Sequence, residues 1–124
     1  MIDVDRAHFE RLVQEGLDEV PAQMLDLLDN VAFLVEDEPD PVELEMPPNE
    51  AVDLLGIYLG VPLPERDGGW AGALPDRIFL FRGPLTRMCD SLEELREEIT
   101  VTIVHEAAHH VGIDEERLHE LGWG

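Results

Sequence analysis

The chain has 124 residues, 44% hydrophobic and 30% charged, a balance that suits one globular domain over residues 1–124 with a single core and excludes a disordered chain. Twenty-nine acids against eight bases, all arginine, give a net charge of -21; such a surface repels phosphate backbones, so no nucleic acid is expected as a partner, while a basic protein partner is allowed. No stretch approaches the ~18 apolar residues of a membrane span, the N-terminus lacks a basic-then-apolar leader, and Cys89 has no second cysteine to pair with, so the expected setting is the reducing cytoplasm with no membrane involved.

Along the chain, "DVDRAHFERLVQEGLDEVP" places Phe9, Leu12, Val13, Leu17 and Val20 at helical spacing until Pro21 interrupts it. His8, in the first turns of that helix, is read as exposed and not as a ligand. "MLDLLDN" continues as a short helix or turn, and Val31 to Asp37 has the β-branched and aromatic content of a buried strand. Four prolines in "EPDPVELEMPPNE" predict a loop. A short strand is expected around Ile57 to Leu59, followed by the loop "PERDGGWAGALPD", where Gly68 and Gly69 lack the Gly-Lys-Ser/Thr of a phosphate cradle and Trp70 is expected to fold back on the core. Arg77 to Gly83 predicts a strand that Pro84 stops.

From Ser91 the spacing of Leu92, Leu95, Ile99, Ile103 and Ala107 predicts one helix up to Gly112, with Ser91 and Glu94 as its capping box. The run "ITVTIV" opposes this, since β-branched residues favour strands. Two histidines four apart share a face only in a helix, where they are about 6 Å apart along the axis; in a strand the figure is about 13 Å. His105, Glu106 and His109 form the pattern HExxH, in which two imidazoles bind zinc and the glutamate accepts a proton from a zinc-activated water. Shuffling this composition yields the pattern roughly 3 times in 100, so it does not stand alone. Gly112, three residues on, is placed to end the helix in the left-handed conformation, and Glu115 follows after another three. His110 is rotated about 100° from His109 and is expected to face elsewhere, in a supporting or solvent role. His119 is expected on a short exposed terminal helix that Asp114 caps.

The segment HEAAHHVGIDE resembles the metzincin motif HExxHxxGxxH/D, with Glu115 where the third ligand stands. More broadly the chain resembles the short bacterial zincin-like family of minimal metallopeptidases, through "DNVAFLVEDEP", "LLGIYLGVPL", "LPDRIFLFRGPL", the motif helix and "LHELGWG". The resemblance implies an α+β, minimal zincin-like fold, a small mixed β-sheet packed on the helix that carries HExxH. It also implies zinc as the cofactor, with His105, His109 and Glu115 as ligands, Asp114 as the alternative third ligand and Glu106 as the catalytic base. Two features depart from the family pattern. With Gly124 nine residues after Glu115, there is no room for a metzincin methionine turn. A third ligand from a later helix would have to be Glu116, His119 or Glu120. The sequence therefore predicts a zinc-dependent hydrolase acting on a peptide or protein substrate laid along a sheet edge; the alternative is a non-catalytic zinc-binding module whose acidic surface meets a basic partner.

Overall fold

The computed structural model describes residues 2–26, 28, 31–60 and 76–120, without the side chains of Gln23, Glu115, Leu118 and His119. The expected fold of the phosphate-free glycine loop and the position of Trp70 lie outside these residues, as does the side chain of His119.

Helix α1 spans Arg6–Asp18 and is opened by Asp5, whose carboxylate accepts the His8 N–H at 2.8 Å. Its apolar stripe of Phe9, Leu12 and Val13 is buried, and His8 is partly buried where full exposure was expected. A short helix, α2, covers Ala22–Asp26, just after the proline that ends α1. Strand β1 is Val31–Glu36, β2 is Gly56–Leu59 and β3 is Asp76–Phe81. They form one mixed sheet in the order β1-β3-β2. β1 runs parallel to β3, with Val31 opposite Asp76 and Glu36 opposite Phe81. β2 runs antiparallel to β3, with Gly56 opposite Leu80 and Leu59 opposite Arg77. The central strand is β3, and its residues Ile78 to Phe81 are buried without alternation, as a strand covered on both faces requires.

Helix α5, Leu92–Val111, packs against α1, β2, β3 and the short helix α4, Arg82–Met88. Leu95, Ile99, Ile103, Val104, Ala107 and Ala108 of α5 are fully buried in one core with Phe9, Ile78, Leu80 and Leu85. This decides the conflict over "ITVTIV". Helix propensity disfavours Ile or Val by a few tenths of a kcal/mol each, whereas burying each side chain stabilises by about 1.5–3 kcal/mol. The fold is thus the α+β arrangement expected, a small mixed sheet on the helix that carries the histidines.

Two local expectations were wrong. Pro84 does not stop a strand: β3 ends at Phe81, and Pro84 is the third residue of α4. Proline is tolerated there because the first N–H groups of a helix have no intrahelical acceptor to lose. The proline-rich loop also contains one helical turn, α3, Pro48–Ala51, with Pro48 at its start for the same reason. Among the described residues no helix is long and apolar enough to cross a membrane.

Candidate metal centre

The site is built on the second half of α5, whose two ends are fixed by local chemistry. At the start the Ser91 hydroxyl accepts the Glu94 N–H at 3.1 Å, and the Glu94 carboxylate reaches back to the Asp90 N–H at 3.1 Å. At the end Gly112 has φ 80° and ψ 23°, the left-handed region where a side chain is strained. Ile113 N–H bonds to Ala108 O at 2.8 Å and Gly112 N–H to His109 O at 3.3 Å, the paired closure of a Schellman turn, while Ile113 packs on the core. The chain then re-enters a helix, α6, Glu115–Glu120. Asp114 accepts the Arg117 N–H at 2.8 Å and so caps it.

One helical turn separates His105 from His109, so both imidazoles leave α5 on neighbouring lines of its surface. His105 is partly buried; the His109 side chain is 48% exposed and that of Glu106 15%. Glu106 Oε1 lies 3.3 Å from His109 Nδ1, which puts a carboxylate beside one imidazole at the mouth of the site. Two imidazoles with an adjacent carboxylate fit a borderline ion such as zinc. Among the described residues no three His, Cys, Asp or Glu side chains converge as a complete ligand set. The backbone of Glu115 opens α6 directly after the turn, and its side chain lies outside the described residues. Asp114 is engaged in its cap, and Glu120 is paired with Arg117 at 2.9 Å.

His110 points into the protein. Its side chain is 4% exposed and its Nδ1 lies 2.7 Å from Asp76 Oδ2. Tyr58 donates its hydroxyl to the same oxygen at 2.6 Å and stands 3.3 Å from His110 Nδ1, with the two rings edge-on at 5.7 Å. A carboxylate is acceptor-only, so the His110 proton on this side belongs to Nδ1, and the imidazole cannot ligate through that atom. Sequence reasoning found His110 but neither Asp76 nor Tyr58. The signals were an acid at the head of the apolar strand "DRIFLF" and the only tyrosine of the chain in another strand.

Comparisons with known proteins place the chain in a family. Residues 28–123 match the family model described as zincin-like metallopeptidase. A solved structure of a conserved hypothetical protein from Thermus thermophilus is similar, with 28% identity, a TM-score of 0.61, and coverage of 87% of this chain and 94% of that one. No curated protein matches the chain.

Proposed function

Because the chain belongs to the zincin-like metallopeptidase family, we propose that it is a zinc-dependent hydrolase of peptide bonds, in which His105, His109 and Glu115 hold the ion and Glu106 is the general base. The observation that carries this reading is the placement of the Glu106 carboxylate 3.3 Å from His109, with His105 one turn away on α5. Zinc bound there supplies a Lewis acid for the scissile carbonyl and lowers the pKa of nearby water. Glu106 takes the proton of the attacking water on a carboxylate oxygen and returns it to the leaving amine.

The substrate is an extended segment of peptide or protein. β2 is the edge strand beside α5, and Tyr58 on β2 touches His110, the neighbour of His109. A peptide added along the outer edge of β2 is held by main-chain hydrogen bonds with its backbone alongside the metal helix.

Metal analysis and a cleavage assay on a peptide library test this reading. The wild type is expected to carry about one zinc per chain, and His105→Ala or His109→Ala to lose it. Glu106→Gln should keep the metal and the melting temperature while turnover falls by orders of magnitude, since an amide cannot take the proton. Zinc retained in the double histidine variant overturns the site. Stoichiometric zinc with no cleavage of any peptide overturns the activity and leaves a non-catalytic zinc module.

A further inference from the structure

The proposed chemistry leaves one buried polar cluster unused. Asp76 is 6% exposed and His110 3%, yet both are ionisable. Replacing such a pair by apolar residues is often neutral or stabilising, so stability alone does not account for it. Asp76 Oδ2 accepts from His110 at 2.7 Å and from Tyr58 at 2.6 Å. Gly60 packs so tightly on the carboxyl that a Cβ there would stand 2.4 Å from Asp76 Oδ1 and 2.9 Å from Asp76 Cβ. Three elements meet at this point: the end of β2, the first residue of β3 and the last turn of α5.

That last turn is the one that carries the site. His109 is the peptide neighbour of His110, and the carbonyls of Ala108 and His109 accept the bonds that turn the chain at Gly112 toward α6. A helical turn moves as a unit, because its backbone hydrogen bonds tie each residue to those three and four away. Anchoring the His110 ring to the sheet therefore anchors the direction in which His109 leaves the helix and the direction in which the chain leaves it.

We propose that Asp76 and Tyr58 are positioning residues for the metal site: acting through His110, they hold the final turn of α5 in the orientation that presents His109 and the Gly112 turn to the ion. The proposal rests on the two-histidine site put forward above. Partners one step removed from metal ligands change affinity by about 10–100-fold when lost, and this relay acts through one more bond.

The test is zinc affinity, measured on the full chain by competition with a chelator, together with the visible absorption spectrum of the cobalt(II)-loaded protein, which reports ligand geometry. Asp76→Asn is expected to weaken zinc by about tenfold, the low end of that range, and to shift the cobalt bands, and Tyr58→Phe to do so by a few-fold. Gly60→Ala removes no hydrogen-bonding group yet displaces the Asp76 carboxyl, so it should follow Asp76→Asn. Val13→Ala, which opens the core on α1, is expected to lower stability with zinc affinity and spectrum unchanged. If Asp76→Asn does not fold, Tyr58→Phe and Gly60→Ala decide. Folded relay variants with wild-type affinity and spectrum overturn the proposal, as does an equal loss in Val13→Ala. A wild type that binds no zinc, or keeps it in His105→Ala, overturns the metal site as well; unchanged relay variants in a protein whose His105→Ala variant loses zinc overturn the positioning role alone.

Discussion

Asp114 and Glu115 are adjacent acids on either side of a helix start, and they separate by what substitution should do. Asp114 is committed to the α6 cap through Arg117 N–H, a contact worth about 0.5–2 kcal/mol and independent of zinc. Asp114→Ala should lower the denaturation midpoint and spare zinc affinity. Glu115→Ala should weaken zinc by orders of magnitude at nearly constant stability; isothermal titration and a urea melt on both variants distinguish the cases, and the reverse pattern moves the ligand to Asp114. Cys89 carries no such role. It is fully buried, and burial first, then the charges of Glu94 and Glu98, pushes its thiol up to about 11. Only the thiolate is nucleophilic, so a thiol reagent at pH ~7.5 should leave the folded protein unlabelled and react at once after unfolding. At this scale the sequence placed His105, Glu106 and His109 on one helix, as the structure has them, because that placement depends only on local spacing. It did not reveal Asp76 and Tyr58, because they meet His110 across 34 and 52 positions, and no local pattern encodes such a contact.

Among the elements, β2 and α5 lie unusually close. A Cβ on Gly56 would stand 2.8 Å from Thr102 Cγ2 and 2.9 Å from the backbone oxygen of Phe79. A main-chain atom cannot swing aside as a side-chain tip can, so Gly56→Ala should cost about 1–3 kcal/mol by urea denaturation; an unchanged midpoint would mean that Gly56 stands further from Phe79 and Thr102. The junction of β1 and α4 is fastened by charge. Arg87 holds Glu38 through two hydrogen bonds at 2.8 and 2.9 Å, and Arg82 holds Asp37 at 2.9 Å. The Arg87 hydrogen bonds hold the Glu38 carboxyl below its ordinary 4.5, against the opposing effect of burial. Since the folded value is the lower one, this contribution is complete above about pH 4.5 and disappears as pH falls through the lowered value. Glu38→Gln should flatten that acid limb by no more than about 1 kcal/mol, because the pair is largely exposed. Hydrophobic spacing revealed α1 and α5, and residue content the three described strands, to within a few residues. Spacing missed α4 because "RGPLTRM" has too few apolar positions to show a period, and tertiary contacts, Leu85 in the core among them, hold the helix.

For the whole molecule the dominant fact is the charge of -21. Like charges drawn together by folding repel, and salt screens them within a Debye length of ~10 Å at 0.1 M. The melting temperature should therefore rise by several degrees between ~0.01 and ~0.5 M NaCl; a flat or falling response would show that the arginine pairs, which salt weakens, outweigh the repulsion.

The sheet order has its own consequence for how the chain is made. β3 is central, and both of its neighbours precede it in sequence, so among the described strands none can pair until β3 exists. β1 must wait for a partner that begins forty-five positions later, Val31 against Asp76. On a ribosome adding ~5–20 residues per second that is about 2–9 s during which "VAFLV" has emerged with nothing to pair with. Five apolar residues without a proline are the kind of segment that joins a neighbouring nascent chain, and the acids Glu36, Asp37 and Glu38 directly behind it are the charges that keep two such strands apart. The acidic residues that later fasten β1 to α4 thus protect the same strand before the fold exists.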